Sequence, residues 1–439
     1  MKSGKLNQSK NWLFCSILLL SVLLLSSVFT ACAQPATISE EAPAVFQTVK
    51  PEDVGLSSQK LNEIDAVVEA DVAANKINGA VLLIARDGKI AYFKSYGYQD
   101  NEKKLPMEKD SIFRMYSMTK SFTAASVAML KDEGNLAFDD PVAKYIPSFK
   151  DTQVGEVSID ENDEYTITMR KPNNIMTVKH LATHTSGLIG TLGSKPGIAE
   201  LYAEAGMNNT SGMTTAEASE KLAKLPLAED PGTYYRYGMS YDVLGYLVEV
   251  ASGMTLDKFF EERIFKPLGM KDSGYLVTGA DVDRLVYLNP KWALYYDATD
   301  PNRKYLSGAS GTASTAMDYA RFAQMLLNGG EFGGKRLLKP ETVSYITSDL
   351  LGPLANRNDA AYVPGRGYSV GFDFYVRVDN ANVDYPINIG EFRKDGIGGT
   401  AYSIDPEEDL MWVFMLNTTT QRMYYKTVIE KMIYQAIID

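Results

Sequence analysis

The sequence predicts a mixed α/β fold of the α+β kind: an antiparallel sheet assembled from both ends of the chain, flanked by helices, with a mainly helical subdomain inserted between its strands. Three observations predict it. Strand-like runs open the body of the chain, helical periodicity fills its middle, and strand-like runs return before a last helix. With 439 residues, 45% hydrophobic and 23% charged, the composition is globular and long enough for one large domain or two smaller ones.

Lys2, Lys5 and Lys10 precede the apolar run from Trp12 to Val28, and small residues then surround Cys32. That is the layout of a bacterial export signal over residues 1–33, although a retained helical anchor has the same pattern. Phe29-Thr30-Ala31-Cys32 resembles a lipoprotein box with a lipid anchor at Cys32, and Ala31-Cys32-Ala33 also fits ordinary cleavage before Gln34. Residues 34–50, rich in Ala, Pro, Glu and Ser, read as a tether, and 51–439 as the folded domain. Gly79 to Gly88 and Lys89 to Tyr96 are strand-like runs around an Arg-Asp-Gly turn, hence a hairpin. Helical patterns dominate from Ser117 to about Met270, interrupted by a polar strand-like insert at about 151–175. Strands are expected at Tyr368–Val378, Tyr385–Phe392, Thr400–Ile404 and Leu410–Asn417, then a helix at about Thr420–Ile438.

Composition also excludes functions. A formal charge of -11, with no run of Lys and Arg interleaved with aromatics, argues against nucleic acid as a partner. The two cysteines, Cys15 and Cys32, fall in the expected signal, leaving the domain no disulfide and no thiolate metal site. His180 and His184 stand one helical turn apart, but Leu181 occupies the place of a zinc protease's glutamate, and no further histidine completes a shell. No metal, cofactor or obligate protein partner is implied. Gly367-Tyr-Ser369-Val-Gly371 formally matches a nucleophile elbow, yet both histidines precede Ser369, against the chain order that motif requires.

Arg114 to Leu130, RMYSMTKSFTAASVAML, reads as an amphipathic helix with Lys120 on its apolar stripe. A serine in the first turn meets the positive end of the helix dipole, and a lysine three residues on reaches the same spot. An ordinary lysine is neutral about one time in a thousand at pH 7; desolvation raises that fraction, and a neutral amine can take a serine's proton. Ser117 and Lys120 therefore form a candidate histidine-free nucleophile and base. The alternative is a capping Ser117 with Lys120 extended to solvent.

From about Pro51 to Ile438 the chain resembles the serine β-lactamase and penicillin-binding-protein superfamily, in the branch around class C β-lactamases, D-amino-acid peptidases and related esterases. The resemblance is carried by six segments in order: Phe113–Lys120, Leu136–Pro147, His180–Leu188, Pro231–Tyr237, Pro267–Gly274 and Gly311–Phe322. It implies an α/β sandwich with a helical region and a site in the cleft between them. It also implies Ser117 as the acylated nucleophile, Lys120 as its proton acceptor or electrostatic activator, and Tyr237 of the second family box as proton relay. The third box aligns with Lys394-Asp395-Gly396, so that the N–H groups of Ile397 and Ser117 would form the oxyanion hole. Two departures bear on substrate. Met239 stands where the second box carries an amide, and Asp395, expected to pair with Lys394 or Arg393, stands where a small hydroxyl or glycine is common. Both disfavour amides and substrates with an essential carboxylate. The expected activity is an exported serine hydrolase on a small ester or acyl substrate, with a D-amino-acid peptidase or transesterase, a weak β-lactamase, or a non-catalytic cell-wall-ligand binder as alternatives.

Overall fold

The computed structural model describes residues 46–162, 164–190, 193–291, 296–354, 362–381, 383–418 and 420–438. The expected signal, with Cys15 and Cys32, and most of the expected tether lie outside these residues. Residues 46–50, assigned to the tether, instead pack on the body. Phe46 is buried with its ring 5.1 Å from that of Phe332, and the Val49 N–H donates to Ile90 O at 3.0 Å.

The sheet draws its strands from both ends of the chain. Among the described residues it has eight: β1 (Gly79–Arg86), β2 (Lys89–Asp100), β3 (Leu105–Pro106), β4 (Tyr368–Val370), β5 (Tyr375–Arg377), β6 (Phe392–Asp395), β7 (Ala401–Asp405) and β8 (Leu410–Leu416). They pair antiparallel in the order β4-β5-β6-β7-β8-β1-β2-β3, so β1 lies inside the sheet, with Leu83 opposite Val413 on one side and Phe93 on the other. The period of two sorts the two faces. Val81, Leu83 and Ala85, with Met411, Val413 and Met415, face a core shared with helices α2 (Thr119–Asp132) and α4 (Ala316–Leu327). Ala80, Leu82 and Ile84, with Leu410, Trp412 and Phe414, face α1 (Ser58–Ala73) and α5 (Arg422–Gln435). Both faces are covered, which is why β1 and β8 are buried along their whole length and read as unbroken apolar runs.

The helical middle is as expected, and its polar insert is a hairpin of Val154–Ile159 with Tyr165–Arg170. One helix was not foreseen and two expectations change. Helix α1, capped by Ser57 Oγ accepting from the Lys60 N–H at 3.3 Å, has too weak an apolar stripe to stand out in the sequence. The run Tyr368–Val378 is two strands, β4 and β5, because the chain turns at Gly371. There the Phe372 N–H goes to Ile346 O at 2.8 Å, a side chain on Gly371 would sit 2.0 Å from that oxygen, and Asp373 takes a φ of 59°. Of Tyr385–Phe392 only Phe392 is in a strand; the preceding loop is held by the Asn380 amide donating to Ile387 O at 2.6 Å.

Candidate active site

Helix α2 starts later than its periodicity suggests. Tyr116–Met118 form a tight 3-10 turn, entered through Tyr116 at a φ of 48°, and the α-helix runs from Thr119. Every residue from Thr119 to Leu130 is buried, so the helix is enclosed all round rather than amphipathic. Lys120 is therefore buried and does not extend to solvent. Its wall is the segment 307–312: Thr123 Oγ1 donates to Gly308 O at 2.7 Å, and the Met115 N–H donates to Thr312 O at 2.8 Å.

Ser117 caps neither the 3-10 turn nor the helix. Its Oγ accepts instead from two buried groups, Lys120 Nζ at 3.2 Å and the Tyr237 hydroxyl at 2.9 Å. Ser117 itself is only half-buried, so the serine is the open member of the three. Lys120 Nζ also donates to Ala309 O at 2.9 Å and lies 4.7 Å from the centre of the Tyr237 ring. Burial pushes the Lys120 ammonium down to about 8, Lys394 acting in the same direction and Asp373, Asp242 and Asp395 opposing. Burial, with Asp373 near by, pushes the Tyr237 phenol well above its ordinary value. At neutral pH the phenol keeps its proton and is a donor, so among these groups the lysine is the one able to accept a proton.

The third box ends β6 beside the serine. A side chain on Gly396 would sit 2.5 Å from Met115 O, so only glycine lets this strand approach the Met115–Ser117 backbone. The Gly396 N–H donates to Thr400 O at 2.7 Å, while among the described residues the Ile397 N–H donates to nothing.

Lys394 and Asp395 point away from each other. Lys394 Nζ, fully buried, donates to Asp373 Oδ1 at 2.6 Å and to the Tyr375 hydroxyl at 2.9 Å, with the Tyr237 ring centre 4.9 Å away. Asp395 pairs with Arg422 at 3.2 Å and Lys426 at 3.0 Å. Burial favours its neutral form, but Lys426 and Arg422 outweigh that and hold its carboxyl down to about 2. The expected pairing with Lys394 or Arg393 is therefore corrected. Arg393 is taken by Glu430 at 2.8 Å, and two cations on Asp395 offset the negative charge expected to repel a substrate carboxylate. Met239 is half-buried ahead of helix α3 (Ser240–Ser252) and packs on the core.

The remaining motifs fall elsewhere. Ser369 is a buried residue of β4 whose hydroxyl donates to Asp349. His180 Nδ1 accepts from the Thr177 N–H at 3.2 Å at the start of its helix. His184 is fully buried, its Nε2 3.1 Å from Asp373 Oδ1, and no group of three or more His, Cys, Asp or Glu among the described residues is arranged to hold a metal. Sequence reasoning missed Asp373. Its one signal was a carboxylate between Phe372 and Phe374, inside an apolar run.

The family model described as Beta-lactamase matches residues 64–430. Protein Rv1367c of Mycobacterium tuberculosis is 30% identical over 358 residues, covering 78% of this chain and 86% of its own. Esterase EstB of Burkholderia gladioli is 27% identical over 387 residues, covering 82% and 91%. Among solved structures, EstCE1, a hydrolase with promiscuous acyltransferase activity, matches 87% of this chain and 99% of its own with a TM-score of 0.71; at 24% identity that likeness is one of fold. The mixed fold, the family match over most of the chain and these relatives agree: the chain belongs to the β-lactamase family of serine hydrolases.

Proposed function

We propose that the protein is an exported serine hydrolase that forms an acyl-enzyme at Ser117, with carboxylic esters as its leading substrates. The observation that carries the reading is the convergence of Lys120 Nζ and the Tyr237 hydroxyl on the Ser117 oxygen, at 3.2 and 2.9 Å. Neutral Lys120 takes the hydroxyl proton as Oγ attacks the acyl carbon. The carbonyl oxygen, now negative, accepts from the N–H groups of Ser117 and Ile397. The ester C–O bond then breaks, and the proton held by Lys120 passes through the Tyr237 hydroxyl to the leaving alcohol. Water attacks the acyl-enzyme, gives a proton back along the same route, and releases the acid with Ser117 restored.

Two observations support esters over amides and β-lactams. Met239 offers neither the donor nor the acceptor of an amide at the second box, and EstB, a relative along most of its length, is named as an esterase. A D-amino-acid peptidase or transesterase is the second reading; a non-catalytic binder is disfavoured by the complete Ser117–Lys120–Tyr237 set. The test is a panel of p-nitrophenyl esters, D-alanyl peptides and nitrocefin with wild-type, Ser117→Ala and Ser369→Ala protein. The proposal expects ester turnover in wild type and Ser369→Ala and none in Ser117→Ala; nitrocefin hydrolysis beside inertness to every ester would reverse the ranking. We further propose that residues 1–33 direct export and that Cys32 carries lipid. Mature protein should then partition with membranes and Cys32→Ser should release or stall it, whereas a freely released mature form beginning at Gln34 would contradict lipidation.

A further inference from the structure

Asp373 is a buried group for which the reaction above has no use, and its placement is unusual. It lies in the turn between β4 and β5, 2% exposed, at a φ of 59° that few residues other than glycine, asparagine and aspartate adopt. One oxygen, Oδ1, accepts from both Lys394 Nζ at 2.6 Å and His184 Nε2 at 3.1 Å. The other, Oδ2, is buried and among the described residues accepts from nothing. A buried carboxylate with one oxygen unsatisfied is a poor structural choice for this turn, since asparagine or glycine adopts the same backbone without burying a charge.

The contacts reach the catalytic tyrosine from two sides. Burial pushes the His184 imidazole down to about 4, so it is neutral, and with Asp373 ionised Nε2 carries its hydrogen. Nδ1 is then free to accept from the Gly238 N–H, 3.5 Å away, next to Tyr237 in the chain. The imidazole also lies against the Tyr237 ring, with centroids 4.5 Å apart, and the Lys394 ammonium sits 4.9 Å from the centre of that ring. One carboxylate thus ties the strand of the third box to the loop of the second.

We propose that Asp373, acting through His184 and Lys394, is a positioning residue that holds the Tyr237 hydroxyl on Ser117 Oγ. The inference rests on the reading of Ser117 as nucleophile. It also fixes the field at the base. The groups that bear on Lys120 are Asp373, Lys394, Asp242 and Asp395, beside Ser117 and Tyr237 in contact. Asp373 is the largest of the charges favouring protonated Lys120. Removing it should ease deprotonation of Lys120, whether Lys394 stays charged or follows its partner to neutrality.

The test uses Asp373→Asn, which keeps the turn conformation accessible, alone, with Lys394→Met, and in a Tyr237→Phe background, measured with p-nitrophenyl acetate and a fluorophosphonate against pH. Asp373→Asn should lower kcat about ten- to hundredfold with KM within about threefold, and should move the acid limb of kcat/KM to lower pH. In the Tyr237→Phe background the same change should cost less than about threefold. The Asp373→Asn/Lys394→Met protein, with no buried charge left unpaired, should fold and show the same loss. A kcat within about twofold of wild type, an undiminished loss without the Tyr237 hydroxyl, or activity that falls only with the folded fraction of both variants would each overturn the proposal. Wild-type protein that takes no fluorophosphonate overturns the nucleophile assignment itself; a labelled wild type beside an indifferent Asp373→Asn overturns this inference alone.

Discussion

Lys120 and Lys394 are two buried lysines that approach the same tyrosine, 4.7 and 4.9 Å from the centre of its ring, and they end in opposite settings. Lys120 touches a hydroxyl, a carbonyl and a π face, and among the described residues its ammonium makes no ion pair. Lys394 touches a carboxylate at 2.6 Å. Burial lowers both, but at Lys394 Asp373 pulls back through direct contact, whereas the carboxylates that oppose burial at Lys120 act from a distance. A fall from 10.5 to about 8 at Lys120 destabilises its ammonium by about 3 kcal/mol relative to an ordinary lysine, so that a substantial minority is neutral at pH 7. The contacting carboxylate, more than depth, separates a lysine suited to take a proton from one that holds a charge in place.

The contrast breaks most easily in a pair of matched variants. Lys120→Met should slow fluorophosphonate labelling about a hundred- to ten-thousandfold, with a melting temperature equal to or above wild type, because it removes a base and a buried amine together. Lys394→Met should instead lower the melting temperature markedly, since leaving Asp373 buried without its cation costs about 3–5 kcal/mol. Melting curves and labelling rates on the two proteins decide it: a stable Lys394→Met beside an unfolded Lys120→Met would exchange the two roles.

Next in size is the coupling between Lys120 and Tyr237. Lys120→Ala and Tyr237→Phe should each lower ester turnover, and the double variant should lose far less than the product of the two, because both act on one oxygen. Steady-state kinetics giving simple multiplication would mean independent roles.

The smallest expected effect concerns specificity at the third box. Asp395→Thr frees Arg422 and Lys426 from their shared carboxylate, and Met239→Asn restores an amide to the second box. Together they should raise nitrocefin turnover relative to p-nitrophenyl acetate. An unchanged ratio would remove these two positions from the account of substrate choice.

The same contrast explains what the sequence could reveal. Ser117 and Lys120 sit three residues apart where the 3-10 turn passes into helix α2, so their meeting is local, and the β1–β2 hairpin is equally local, turned by Asp87 and Gly88 at φ of 54° and 68°. Tyr237 came only through the resemblance, yet the structure brings its hydroxyl to the same oxygen. The setting of Lys394 was not legible, because Asp373 and His184 lie 21 and 189 positions from their partners, Lys394 and Asp373. The turn that creates the Asp373 site is forced by a close approach to Ile346 O, a tertiary contact that no periodicity announces. Asp395 misled for a related reason: its partners Arg422 and Lys426 belong to helix α5, folded back from the end of the chain.

Each of these outcomes turns on Ser117 as the nucleophile and neutral Lys120 as its activator. The most direct measurement is the rate of fluorophosphonate labelling against pH, with the adduct located by mass spectrometry of the digested protein. One adduct is expected, on the peptide containing Ser117. Its rate constant should rise with pH as the Lys120 ammonium loses its proton, levelling above about 8. An adduct on Ser369 or any other residue, or a rate on Ser117 that is flat from about pH 6 to about pH 10, would contradict it.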